Sequence, residues 1–534
     1  MEDSNFLTQT ETFLRNHYNL SVFIGILFGV LIRFAGISSF PAGLNQDEAS
    51  IGYETYSLLQ TAADRNGQHL PVHFISWGSG QNVLCAYLSM LFVKIFGLNV
   101  FSMRLLNSLL TSLSLLVFFL LLKSALGRKK AFAGLILLCI MPWHIMIARW
   151  GFESNIFPAF FLFAVYFLYK GINGKMLFFP ISSVFFALSL YAYGTAYLVV
   201  PLFLLLVIPY FVRRKKIAFK SFILSAVLFL LFALPVFLFV IINHLDLPPM
   251  NLAGITIPRL LENRTTTVFN LTDGFFLFTM AKNFVRLCYV CLLQSDSFLS
   301  NVIPGFGTLY YISLPFLLLG IAKILKNKNL RLQPIHFIML MWLVSSVVLG
   351  LCTHVNINRL NIIFIPMIYF VMEGIFAGCD IVKEQYKKLY MKGIAAIYGF
   401  YFLLFTGYYF TMYNEKIASD FCVGFDQSLQ FCNENFPNDT IDISTQNINM
   451  PYIYVCFYNQ ISPDIFRKTV VYDEGNRNFR AVKSFDKYRF VPACDVVKSG
   501  IMIIGRKDFE LFRPLIGDKK VETFEEFYVV YEDF

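Results

Sequence analysis

The chain has 534 residues, of which 57% are hydrophobic, 17% aromatic and only 15% charged, with a mean hydropathy of +0.60. Soluble domains carry about 25% charged residues, so this chain has too few to coat a water-exposed surface of its size. Its net charge of +10 comes mostly from Lys and Arg in short loops between apolar runs. That placement reads as a membrane-topology signal and argues against a nucleic-acid-binding surface.

Apolar runs of roughly 20 residues, enough to cross a ~30 Å hydrocarbon layer, recur along the chain. The first, 19–37, follows a polar start and lacks a small-residue cleavage site, so it reads as a transmembrane anchor and not a signal peptide. Further membrane helices are expected near 103–123, 131–148, 155–170, 175–192, 195–212, 219–242, 305–325, 333–352, 359–378 and 393–412. Basic clusters between them (Lys123, Arg128, Lys129 and Lys130; Lys170 and Lys175; Arg213, Arg214, Lys215 and Lys216; Lys323, Lys326 and Lys328; Lys383, Lys387 and Lys388) all fall on one side. The positive-inside rule makes that side the cytoplasm, with the N-terminus inside and the C-terminus outside.

Residues 82–96 are apolar but short for a span, and counting them would move the Arg128–Lys130 cluster outside. They fit better as a helix in the outer interface, which makes 38–102 one long outer loop with helices starting near Asp47 and Asn82. Long ordered loops in compact proteins are usually functional. A second outer loop, 244–302, is expected to hold another interfacial helix near 275–293. After the last span the pattern shifts to an amphipathic helix near 418–436 and alternating apolar runs at 441–443, 452–458, 469–472 and 500–504. The expected architecture is therefore a polytopic α-helical membrane protein of about 11 transmembrane helices, residues 1–413, with a small outer α/β domain at 414–534. Cys422, Cys432, Cys456 and Cys494 of that domain permit disulfides, with three pairings open.

The stretch richest in chemistry is PAGLNQDEASIGY at 41–53, which places two adjacent carboxylates, Asp47 and Glu48, at a helix start just beyond the first span. A cap is one role for Asp47, since a helix N-terminus favours negative charge. Ionisable groups beside a bilayer also mark functional sites. Trp77 in WGSGQN (77–82) is placed either to anchor at the interface or to stack on a sugar. No Walker-type or dinucleotide Gly-rich loop is present, which removes nucleotide sugars and ATP as expected substrates. His69 and His73 are split by Pro71 and no Cys/His ligand cluster appears, so no metal is required; a divalent cation held by Asp47 and Glu48 with a substrate phosphate stays open.

The run PAGLNQDEASIGYETYSLLQTAADRNGQHLPV (41–72), then WGSGQN and FGLNVFSMRLLN (96–107), resembles the first outer loop of GT-C class membrane glycosyltransferases. The branch is that of protein O-mannosyltransferases and of aminoarabinose transferases acting on lipid A. ARWGFESN (148–155) and NRLNIIFIPMIYF (358–370) resemble two later Arg-containing elements of that class. The resemblance implies transfer of a sugar from a polyprenyl-phosphate donor to an outer-face acceptor (protein, lipid or wall polymer). It assigns Asp47 as general base and Glu48 as its orienting or acceptor-binding neighbour, with Trp77, Gln81 and Glu153 as further substrate-binding candidates. Candidates for the lipid phosphate are Arg149, Arg264 and Arg359, with Arg259 and Arg286 behind them, because a guanidinium holds two phosphate oxygens at once. Two other readings compete: a transporter or flippase, against which the one-sided charges and the absence of internal repeats speak, and a non-catalytic scaffold acting through 414–534.

Overall fold

The computed structural model describes residues 17–262, 276–473, 475 and 479–532. Helix α1 (Tyr18–Phe34) is followed by α2 (Gln46–Thr61), α3 (Leu84–Phe96) and α4 (Val100–Leu126). Next come α5 (Arg128–Ile140) and α6 (Pro142–Ala148), bent by 60° where Pro142 begins a new helix. A 3-10 turn, Glu153–Ile156, leads into α7 (Phe157–Ile172), then α8 (Phe178–Ser189), α9 (Ala196–Arg213) and α10 (Phe219–His244). A small hairpin, β1 (Met250–Leu252) and β2 (Ile255–Ile257), precedes α11 (Phe276–Leu292), α12 (Ser313–Lys326), α13 (Pro334–Cys352), α14 (Phe364–Ile381) and α15 (Lys387–Thr411).

Every one of the eleven expected stretches holds a helix. Among the described residues seven helices are long and apolar enough to cross a membrane, eight if the bent pair is one span. α1, α8 and α12, of 17, 12 and 14 residues, are shorter than the ~20 residues of a straight crossing. α10 turns Leu224, Val227, Leu230, Leu231 and Leu234 outward, as a helix solvated by lipid does, whereas α14 is buried along most of its length. α12 and α14 touch backbone to backbone: a Cβ on Gly374 would lie 1.8 Å from the Phe316 carbonyl, and one on Gly320 2.0 Å from that of Phe370. Small residues at such a crossing are what lets membrane helices gain dispersion contact without a hydrophobic drive between them.

Beyond α15 lie α16 (Phe425–Asn435), β3 (Ile441–Ser444), α17 (Pro451–Tyr458), α18 (Pro463–Thr469), β4 (Val471–Tyr472), β5 (Val482–Phe485), β6 (Tyr488–Val491), β7 (Ile501–Gly505), α19 (Arg506–Phe512), β8 (Lys520–Phe524) and β9 (Phe527–Tyr531). The strands form one mixed sheet in the order β4-β5-β6-β3-β7-β9-β8, with β3 parallel to β6 and β7 and the other pairs antiparallel. The alternating run at 452–458 is helix α17, not a strand. Pro451 pre-sets its first turn and every residue from Tyr452 to Phe457 is buried, so the run carries no period by which to tell helix from strand.

α17 packs directly on α2, where a Cβ on Gly52 would meet the Phe457 ring at 2.4 Å. The seam is closed by Arg65, whose guanidinium lies 4.5 Å over Trp77 and 5.8 Å over Tyr452 and pairs with buried Glu54 at 3.3 Å. Backbone joins it too: Arg480 donates to the Trp77 carbonyl at 2.8 Å, and the Arg467 side chain to that of Asp64 at 3.1 Å. The sheet and the 38–102 loop therefore share one core. All ten cysteines are free thiols, so none of the open pairings is formed.

Asp64 is buried at this seam. Burial, reinforced by the charge of Glu54, raises its carboxyl to about 8, against the backbone N–H of Gln68 and the charge of Arg65. A carboxyl raised in the folded state contributes stability at low pH that is lost as pH rises through its folded value. The protein should therefore lose thermal stability between about pH 4 and pH 8. Asp64→Asn, which keeps an acceptor oxygen, should remove much of that loss; melting curves of both proteins at either end of the window test it, and parallel pH profiles would contradict the account.

Candidate active site

Asn45 caps α2: its side chain accepts from the Asp47 N–H at 3.0 Å, while Glu48 Oε2 accepts from the Asn45 N–H at 3.2 Å, completing a capping box. Glu48 is fully buried and does more than cap. Its Oε1 takes Arg104 Nε at 2.9 Å and the Gly151 N–H at 2.6 Å, and its Oε2 also takes Arg104 Nη2 at 3.1 Å. Arg104 spends its other donors on the carbonyls of Ile37, Pro41 and Gly43. All five guanidinium N–H groups and all four carboxylate acceptor sites are thereby used. Glu48, expected to orient Asp47 or bind acceptor, instead ties α2 to α4 and to the turn before α7.

Asp47 is only half-buried at the positive end of the α2 dipole, and its charge reaches Tyr454 of α17. The sheet domain thus borders the candidate base. Nearby, Trp150 stacks on Phe152 at 5.0 Å and tilts against Phe421 at 5.8 Å, and the Phe421 carbonyl accepts the Leu44 N–H at 2.7 Å. Gln46 Oε1 and Trp150 Nε1, in the residues flanking the clamp, are buried with no hydrogen-bond partner. Such atoms want an explanation, and a bound polar group is one.

The remaining expected residues separate. Arg149 is wholly buried and its five N–H groups go to the carbonyls of Phe40, Ile32, Arg33, Ala35 and Gly36, while its plane lies 4.9 Å over Phe410. It closes the C-terminus of α1, where a cation is electrostatically at home, and has no donor left for a lipid phosphate or for Glu153. Trp77, expected to meet a sugar, is 4% exposed between Arg65 and Tyr452. Gln81 is also internal and accepts from Ser50 Oγ at 3.0 Å. Glu153 is buried close enough to Cys85 and Tyr197 for its charge to act on both. Arg264 lies outside the described residues. Arg259 pairs with Asp246 on the surface at 3.1 Å.

Arg359 fares differently. It is half-buried in the turn after α13, donating to the His354 carbonyl at 2.8 Å. The charges of Arg286, Arg359 and Lys282 all bear on the exposed His354 ring, whose pKa is lowered by burial first and by these cations next. Lys282 and Arg286 are four residues apart on one face of α11, which is fastened to α13 by Asn283 donating to the Leu351 carbonyl at 3.0 Å. Asp296 holds the same turn from below through the Ile357 N–H at 2.9 Å. The result is a cluster of four basic side chains at the turn after α13 and the adjoining α11. Arg104, Lys282 and His354 were not singled out by the sequence reading. Arg104 left a signal all the same, being a lone charge within 22 otherwise uncharged residues of α4. Among the described residues no three His, Cys, Asp or Glu side chains gather as a metal site.

Residues 56–239 match the family described as dolichyl-phosphate-mannose-protein mannosyltransferase. In three dimensions the chain is similar to ArnT from Cupriavidus metallidurans in the apo state, at 12% identity, with a TM-score of 0.59 over 95% of this chain and 97% of that one. The chain carries the GT-C fold of membrane glycosyltransferases. ArnT bound to undecaprenyl phosphate is similar over the same extents, with a TM-score of 0.56. The oligosaccharyltransferase AglB from Archaeoglobus fulgidus, in complex with an inhibitory peptide and a dolichol-phosphate, matches at 13% identity and a TM-score of 0.50 over 83% of this chain and 64% of its own. No curated protein matches the chain.

The 38–102 loop is thus held from within. Arg104→Ala should leave Glu48 as an unpaired buried charge and destabilise the protein by about 3–5 kcal/mol. Thermal unfolding in detergent measures this, and a midpoint equal to wild type would show that the clamp is dispensable.

Proposed function

We propose that this chain is a polyprenyl-phosphate-sugar-dependent glycosyltransferase acting at the outer face of the membrane, with Asp47 as the general base. The observation that carries the reading is a fold shared end to end with ArnT, itself captured with undecaprenyl phosphate, in which this chain presents one half-buried carboxylate at a helix N-terminus. The basic loops favour an N-terminus in the cytoplasm and the sheet domain outside. An acceptor hydroxyl attacks the anomeric carbon, Asp47 takes its proton, and the bond from that carbon to the phosphate oxygen breaks. The leaving polyprenyl phosphate gathers negative charge, which Arg359, Lys282 and Arg286 neutralise, with the His354 ring beside them as a neutral hydrogen-bond donor. Of the expected substrate-binding side chains, Glu153 stays in the proposal, while Trp77 and Gln81 support the loop from inside.

Asp47→Asn removes the base almost without changing shape and should lower turnover by about 10²–10⁴-fold. Its melting point and its binding of undecaprenyl phosphate should stay at wild-type values. Arg359→Ala should do the converse, weakening undecaprenyl phosphate binding by about tenfold or more through loss of a charge-assisted contact. Mass spectrometry of lipid co-purified with wild-type protein names the donor. Full transfer by folded Asp47→Asn protein would sink the assignment of the base.

A further inference from the structure

The N-terminal half of α10 stands apart from the bundle. No residue from 219 to 232 is buried, whereas Ala233, Val236, Phe239, Ile242 and Asn243 of the other half are. The face left free carries a groove of about 390 Å³ lined by Phe219, Lys220, Ile223, Leu224 and Val227. These residues fall on one side of the helix, and all but Lys220 are apolar. An apolar groove open to the bilayer is filled by hydrocarbon, and its walls suit an acyl chain.

The mouth of the groove is cationic. Arg213, Arg214, Lys215, Lys216 and Lys220 place five exposed cations within eight residues. The chain from 154 to 245 holds no Asp or Glu, and none of the five pairs with a carboxylate among the described residues. Three of the other basic clusters on this side do spend a cation in that way: Lys130 on Glu373 at 2.7 Å, Lys323 on Asp380 at 2.9 Å and Lys387 on Glu384 at 2.6 Å. A topology signal needs only the number of basic residues, whereas unpaired cations beside an apolar groove also attract a lipid anion. The backbone is shaped around them. α9 ends in a Schellman turn, with the Lys216 N–H donating to the Phe211 carbonyl and the Lys215 N–H to that of Val212, both at 2.9 Å. Lys215 sits at the left-handed position of this turn, with φ of +56°, where glycine is favoured and a side chain is held at a cost. The Arg214 guanidinium lies 4.7 Å over Tyr210, which stacks on Phe337 and donates to the Leu332 carbonyl at 3.4 Å. That fastens the 328–332 turn, with exposed Lys328, beside the same cluster.

We propose that this end of α9 and α10 is a binding site for an anionic phospholipid, with its phosphate held by Lys215, Lys216 and Lys220 and an acyl chain lying in the groove from Phe219 to Val227. A bilayer phospholipid joins a phosphate at the interface to a chain in the hydrocarbon, which is the order of cations and apolar walls here. The site takes no part in sugar transfer and stands independently of that reading.

The test titrates full-length protein in neutral detergent with dioleoyl phosphatidylglycerol and counts lipid-bound forms by native mass spectrometry. Dioleoyl phosphatidylcholine, undecaprenyl phosphate and inorganic phosphate are the counter-probes. Phosphatidylglycerol should bind about tenfold or more tightly than phosphatidylcholine. The triple variant Lys215→Gly, Lys216→Gln, Lys220→Gln should lose about fivefold in affinity per charge removed. Its melting point should be unchanged or higher, because glycine suits the Lys215 conformation. A control with the same loss of charge in other loops, Lys123→Gln, Lys129→Gln, Lys175→Gln, should bind as wild type does. Val227→Trp fills the groove without adding charge and should weaken binding with every cation in place; it carries the test if the triple variant fails to fold. Equal losses in the two triple variants, equal affinity for the two phospholipids, displacement by inorganic phosphate or by undecaprenyl phosphate, or unchanged binding by Val227→Trp would each overturn the proposal.

Discussion

Two buried arginines gather the connection between the first membrane helix and the helix that presents Asp47. Arg149 takes five carbonyls from the end of α1 and the turn beyond it, and Arg104 takes three more before closing on Glu48. Carbonyls that leave a helix in a dry interior need donors, and a guanidinium supplies five in a rigid fork. The position of Asp47 relative to the membrane helices therefore depends on side chains from α4 and from the turn after α6. Removing one partner would strand a charge as well as loosen a loop.

The sheet domain belongs to the same construction. The Arg65 guanidinium lies over both Trp77 of the loop and Tyr452 of α17, with Glu54 as its buried counter-charge. Arg480 and Arg467 add hydrogen bonds to loop carbonyls across the seam. Because α17 lies on α2, Tyr454 comes within electrostatic reach of Asp47, so the domain after the last membrane helix forms part of the surroundings of the candidate base. A tether of this kind makes the loop and the sheet one cooperative unit, and ionisation of Asp64 weakens it from inside.

Charge near the loops that join the membrane helices divides into two kinds with different physics. Arg149 and Arg104 are buried with all five N–H groups bonded, and Arg65 is buried against Glu54, Ser50 and Ser76; all three are structural. Arg359, Lys282, Arg286 and His354 stand at a more open surface, where burial and then the neighbouring cations lower the His354 pKa and where an anion would be electrostatically welcome. Of the three arginines expected to hold phosphate, only Arg359 is placed in the second kind among the described residues.

The amino-acid sequence by itself determined the membrane class and the position of every membrane-helix stretch, and singled out the loop after the first of them. Each follows from local composition: apolar length, flanking charge, and a cap signal at Asn45 and Glu48. It also made Asp47 stand out from its surroundings, though not from Glu48 beside it. Only tertiary structure told those two apart, because the difference lies in Arg104 and Gly151, which come from distant parts of the chain. The same holds for Arg149 and Arg359, two arginines of similar sequence setting with opposite fates. What a guanidinium does is set by which acceptors surround it after folding, and pattern along the chain carries no record of that. The run at 452–458 makes the point for backbone: buried on all sides, it has no period, and only its packing against α2 and the sheet decided that it is a helix.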